Sequence, residues 1–227
     1  MNSKTLLSVV FAVCAVQISA ADDLLTQIGN DIADLETKLQ DISSQIDQAV
    51  QNAITEGEAE VDEIKSEIEA AIDQQVQDIQ DASEGVKACA QAAKDSLDKV
   101  VESVKSQIKG FALREGLKAL PWIGKVNGTI NSLKSLQADL SSGLQACQAQ
   151  GGLGQISCTA ALIASSTAKF TEIMSAVPGE VQQGLDLLNT IVNDLKTTVP
   201  QIVQSVKTQG QAILQTEAEC IKNAIGA

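Results

Sequence analysis

The sequence predicts an all-α protein, built of long amphipathic, coiled-coil-like helices that form an elongated, disulfide-linked helical bundle. Three observations carry this expectation. Apolar residues recur in steps of three and four over long stretches, and nowhere do they alternate as a half-buried strand would. The chain of 227 residues is 44% apolar but only 2% aromatic, with three Phe, one Trp and no Tyr. Its core is therefore aliphatic, and it lacks the aromatic strands and close-set turns of a β-sandwich. Only three prolines interrupt a composition rich in Ala, Gln, Leu, Lys, Asp and Glu, residue types that favour helix.

The first element, residues 1–20, reads as a signal peptide. Lys4 is followed by an apolar run from Leu6 to Val16 and then by Ser19-Ala20-Ala21, the charge, core and small-residue order of a secretory signal. Cleavage after Ala20 and cleavage after Ala21 fit almost equally well. The run is shorter than the roughly 20 residues of a spanning helix. No later stretch is long and apolar enough to cross a bilayer, and no hydrophobic C-terminal tail suggests a lipid anchor. The expectation is a secreted, extracellular protein without a membrane span.

Residues 21–84 form an acidic, heptad-patterned helical segment. From Leu25 the apolar positions are 25, 28, 32, 35, 39, 42, 46, 49 and 53, which describe the narrow seam of a coiled coil. Near Glu56-Gly57-Glu58 the phase slips, and this marks a stutter or a hinge, because Val61, Ile64, Ile68, Ile72, Val76 and Ile79 resume helical spacing. Residues 22–84 carry 18 acidic and 2 basic side chains, whereas residues 85–227 carry 11 and 13. A stripe that narrow needs a partner. Like charges oppose self-pairing, so docking onto the near-neutral remainder is favoured over a homodimer.

Residues 85–227 read as a four-cysteine helical bundle. Val86, Ala90, Ala93, Leu97, Val101, Val104, Ile108 and Phe111 mark one helical face, which Gly110, Gly116 and Pro121 end. Residues 121–128 read as a connection carrying Trp122. A second helix runs through Ile130, Leu133, Leu136, Leu140 and Leu144 to the turn at Gly151-Gly152-Leu153-Gly154. A third ends at Pro178-Gly179, and in the last Pro200 either kinks the helix or opens a new one. Trp122, beside Pro121, suits a packing plug better than a ligand mouth.

Without Cys14 of the signal, four cysteines remain: Cys89, Cys147, Cys158 and Cys220. An even number in an exported chain reads as two disulfides. In an up-down-up-down bundle all four would lie towards one end. The nested pairing, Cys147 with Cys158 and Cys89 with Cys220, is preferred; Cys89 with Cys147 and Cys158 with Cys220 is almost as acceptable. Asn127-Gly128-Thr129 is a glycosylation sequon, expected in a loop.

Catalysis is not expected. Histidine is absent, which removes the commonest general base and the commonest zinc ligand. No nucleophile, base and oxyanion donor can be assembled. No cofactor is implied: the glycine-rich turn lacks the Lys-Ser/Thr of a phosphate loop. No metal site is implied either, since no D-x-D-x-D-G spacing occurs. The acidic balance argues against nucleic acid.

Cys89, Cys147, Cys158 and Cys220, in a secreted, helical, Gln- and Ala-rich chain, resemble the TsetseEP-domain family of insect secreted proteins over about residues 85–225. The Glu-Pro repeat tail of the name-giving member has no counterpart in this chain. The resemblance implies an extracellular helical domain of an insect gut or body fluid. Three function classes follow. One is a binding or interaction protein whose helices pair with a protein partner or with a second copy. Another is a carrier of lipid or another small apolar ligand. A membrane-active hairpin around Leu153 to Ala164 is the weakest, its longest apolar run being only Ala160 to Ala164.

Overall fold

The structure is a computed structural model that describes residues 3–79 and 82–226, with side chains at residue 16 and from residue 19 onward. It contains four helices, α1 Ser3–Gln77, α2 Glu84–Leu117, α3 Leu120–Gln148 and α4 Gly152–Gly226. No strand occurs among the described residues. The fold is the expected all-α helical bundle. The body of the expected signal, residues 1–15, lies outside the described side chains.

The chain packs as two compact units, one of Met1–Ser44 and Ala119–Asp186, the other of Gln45–Lys118 and Leu187–Ala227. Each is a three-helix arrangement: α1, α3 and α4 supply the first, α1, α2 and α4 the second. The division expected at residue 84 follows charge, and the packing follows a different one. The acidic segment belongs to the first unit as far as Ser44 and to the second from Gln45.

In the second unit the buried track of α1 is Ile46, Val50, Gly57, Val61, Ile64, Ile68 and Ile72. The helix neither stops nor restarts at Gly57. The glycine is a core position, with half-buried Ala53 and Ile54 completing the register before it. A Cβ at Gly57 would lie 2.8 Å from Val199 Cγ1 of α4 and 3.2 Å from Ile108 Cγ2 of α2. What reads as a phase slip is thus a seam that continues through a hole. Gly210 of α4 repeats the device against Ile68 of α1.

Helix α2 begins at a proper cap: Ser83 is extended and its Oγ accepts the Val86 N–H at 3.4 Å, with Glu84 favourably placed in the first turn. The expected connection at 121–128 is helical instead. Pro121 sits in the first turn of α3, where a missing N–H costs nothing. Only Lys118 and Ala119 separate α2 from α3. The hairpin between α3 and α4 lies where the glycine run indicates, with φ of 67° at Gly151 and 54° at Gly152, left-handed values that other residues adopt at a cost.

Pro178-Gly179 and Pro200 do not break α4, which runs unbroken from Gly152 to Gly226. Both prolines are exposed. Each lacks the N–H that would bond the carbonyl one turn back, on Met174 and Lys196, so the loss is one backbone bond each. The four cysteines, expected together at one end, are divided between the two units. Cys89–Cys220 belongs to the second unit and Cys147–Cys158 to the first.

Candidate functional site

The first unit holds a buried polar knot. Glu180 of α4 is 3% exposed, at a position the apolar pattern would give to an aliphatic residue. Three residues of α3 spaced by three and four converge on it. Trp122 donates its indole N–H to the Glu180 carbonyl oxygen at 2.7 Å. The Thr129 hydroxyl lies 2.9 and 3.1 Å from the two carboxylate oxygens. The Lys125 ammonium approaches to 3.9 Å. The Trp122 ring lies against Gly184, one turn beyond Glu180, where a Cβ would be 2.4 Å from Cζ2. Every polar group in the knot has a partner, so it works as an anchor between α3 and α4. Trp122 is the packing plug that its neighbour Pro121 suggests.

Charge is arranged across the helix contacts. In the second unit α1 supplies carboxylates and α2 supplies ammonium groups. Lys105 meets Asp62, and Lys94 meets Asp73, each at 2.6 Å. The sense reverses where Lys65 of α1 meets Asp98 of α2 at 2.6 Å. The Asp98 hydrogen bond holds the Lys65 ammonium above its ordinary pKa. In the first unit Lys134 of α3 meets Glu36 of α1 at 2.7 Å. Lys118, bonded to the buried Glu115 and lying 3.1 Å from Asp194, is likewise held above the ordinary range, Glu115 being the main cause. The acidic helix docks within its own chain, and the basic surplus of α2 supplies part of the reason.

Two of the depressions in the second unit have mostly small and aliphatic walls. One, of about 390 Å³, lies between α1 and α4, with Ala49, Ala53, Gly57, Val192, Val199 and Pro200 among its walls and Glu56, Glu60 and Lys196 beside them. The small residues of α1 create it. The other, of about 290 Å³, lies between α2 and α4. Ala92, Ala93, Ser96, Ile213, Thr216 and Glu217 line it, together with the Cys89–Cys220 bridge. Glu217 is 2% exposed, and neither carboxyl oxygen has a hydrogen-bond partner. Burial, with Asp73 adding to it, raises the pKa of this carboxyl above the usual range, and Lys94 opposes the rise.

The cysteines pair in the nested arrangement: Cys89 bonds Cys220, with Cα atoms 5.9 Å apart, and Cys147 bonds Cys158 at 5.4 Å. Asn127 is exposed but stands within helix α3, not in a loop. Its sequon partner Thr129 spends its hydroxyl on Glu180. Glu180 and Glu217 are not singled out by the sequence, and Gly57 stands out there only as a stutter or hinge, not as a core position. The signal for Glu217 was available: it falls on the stripe that carries Val203, Val206, Gly210 and Ile221.

Among the described residues no helix is long and apolar enough to cross a membrane, and no group of three His, Cys, Asp or Glu side chains could hold a metal ion. No protein-family model matches the chain, and no curated protein does. Among solved structures the chain is similar to the haptoglobin-hemoglobin receptor of Trypanosoma congolense, at 15% identity over 96% of this chain and 93% of that one, with a TM-score of 0.25. At that score the likeness settles neither fold nor function.

Proposed function

We propose that the protein is a secreted, extracellular helical binding or interaction protein without catalytic activity. The observation that carries this reading is the use the chain makes of its apolar surface. The narrow seam of α1, which needs a partner, is covered from within the chain in both units. What remains outside is an acidic face and open, shallow grooves, a surface suited to recognition. Two disulfides support an oxidising compartment. Against catalysis stand the absence of histidine and the use of the buried Glu180 as an anchor. The four-cysteine resemblance to TsetseEP-domain proteins adds an insect gut or body fluid as the setting.

The groove beside Gly57 favours a second reading, the carrier of a small apolar ligand, because its walls are mostly aliphatic. Native mass spectrometry of the protein secreted from its source separates the two. The binding reading expects a protein with two disulfides that retains no stoichiometric lipid. A stoichiometric acyl-chain ligand, released by organic solvent, would replace it with the carrier reading. A reproducible turnover abolished by changing one carboxylate would overturn both.

A further inference from the structure

Glu217 stands where α4 should be apolar. Val206 and Gly210 precede it on the buried track and Ile221 follows it. Its carboxyl is sealed from solvent and accepts no hydrogen bond among the described residues. A buried carboxyl without a partner weakens a fold, and an aliphatic side chain at the same place would strengthen it. The charged groups that bear on it are Asp73 of α1 and Lys94 of α2. These are committed to each other at 2.6 Å. The fold itself therefore gives no reason for a carboxyl at this position.

The cavity supplies one. Glu217 forms part of the wall of the 290 Å³ depression, whose other walls are aliphatic carbon from alanines and Ile213, the hydroxyl-bearing Ser96 and Thr216, and the Cys89–Cys220 bridge. We propose that this cavity is a binding site for a small aliphatic ammonium ion, whose charge draws the unpartnered Glu217 carboxyl from its sealed position to the cavity wall and whose alkyl chain lies on Ala93 and Ile213. An anion would meet Glu217 and Asp73 with like charge. A neutral alcohol would leave the carboxylate without a counter-charge. The volume lies at the lower edge of small-molecule pockets, about 300–1,000 Å³, so the ligand is smaller than a drug-sized molecule. No aromatic ring lines the cavity, so recognition rests on the carboxylate. Ala92, Ser96 and Thr216 are exposed and form the mouth. This proposal rests on the binding reading above and names a ligand class for it.

The test is calorimetric titration of the full-length, disulfide-bonded protein with n-hexylammonium, 1-hexanol and hexanoate at neutral pH. Hexylammonium should bind one to one, and the other two should bind weaker by about tenfold or more. Glu217→Gln should weaken hexylammonium binding by about tenfold or more and should not lower the melting temperature. Ala92→Phe, at the exposed mouth, should block binding with Glu217 intact. Independently of any variant, amide NMR shifts on titration should cluster in residues 89–96 and 212–220.

Equal affinities for hexanol and hexylammonium, or an unchanged affinity in Glu217→Gln, would overturn the proposal. So would the absence of binding up to about 10 mM, or a Glu217→Gln protein that melts lower, since that would reveal a partner within the fold. Failure of the amines removes this site alone. The binding reading stands or falls separately on what native mass spectrometry finds attached to the secreted protein.

Discussion

Replacing Gly184 by alanine should destabilise the first unit, although alanine is the better helix former. In the interior of a helix the exchange by itself stabilises by about 0.8–1 kcal/mol. At Gly184 the new Cβ would lie 2.4 Å from Cζ2 and 2.5 Å from Cε2 of Trp122, against an ordinary contact of 3.4–4 Å. The ring must retreat by about 1 Å. It is rigid, buried, and held by its N–H on the Glu180 carbonyl, the same carbonyl that helix geometry gives to the Gly184 N–H. Overpacking costs about 1–3 kcal/mol and a lost hydrogen bond about 1 kcal/mol. The balance is a loss of about 1–3 kcal/mol, or a melting point lower by about 2–10 °C for a chain of this size. Gly179, on the same helix, has nothing within 4 Å, so Gly179→Ala should stabilise by about 0.5–1 kcal/mol. Urea unfolding followed by the fluorescence of the single Trp reads both variants in the unit that contains them. If Gly184→Ala proves as stable as Gly179→Ala, the packing of Trp122 against the glycine is not as described.

The two disulfides should differ in worth. Closing 131 residues limits the unfolded chain more than closing 11, about 5 against about 3 kcal/mol in the loop-entropy account. Cys89→Ala with Cys220→Ala should therefore lower the urea midpoint more than Cys147→Ala with Cys158→Ala; the reverse order would reject that account. The Glu217 carboxyl has a folded pKa above its ordinary 4.5, so the folded state holds its proton longer. Wild-type stability relative to Glu217→Gln should be highest below about pH 4.5 and should fall as pH rises through the raised value; a difference that grows with pH contradicts the burial. The lysines at 65, 94 and 105 retain 30% exposure of their side chains, so each pair should contribute less than about 1 kcal/mol. Replacing the three by alanine should matter at low salt and little at about 1 M salt, as denaturant midpoints would show.

Helix class, the aliphatic core and the glycine hairpin were legible from spacing; the nested cysteine pairing was only preferred over Cys89 with Cys147 and Cys158 with Cys220, and the structure decides between them. Periodicity reports the character of side chains, however, and packing also uses their absence. Gly57 looked like a slip because a pattern of apolar residues has no symbol for a hole that Val199 and Ile108 fill. The seam was also off by one residue in places: Leu24 is buried where Leu25 was expected, and Val50 where Ala49 was. A stripe of alternating threes and fours leaves that choice to the partner helices. Pro178 read as an end, and Pro200 as a kink or a new start, because proline forfeits a bond, but on an exposed face that forfeit is small. Glu180 and Glu217 stand among many carboxylates but interrupt apolar stripes of α4, the one trace in the sequence of their burial; what each carboxyl meets there is set by the neighbouring helices.

The nested cysteine connectivity has a consequence for how the chain is made. Cys147 and Cys158 leave the ribosome almost together, and with Asp186 the last residue of the first unit is present. Cys89 must wait for Cys220, the 131st residue after it. At about 5–20 residues per second, synthesis of the 62 residues that follow Cys158 up to and including Cys220 takes about 3–12 s. Throughout that interval Cys89 is a thiol without its proper mate, and on entering an oxidising compartment it can attack whichever disulfide forms first. Correct maturation therefore depends on rapid closure of the Cys147–Cys158 hairpin, or on a thiol-exchange catalyst that releases Cys89 until the C-terminal turn of α4 arrives.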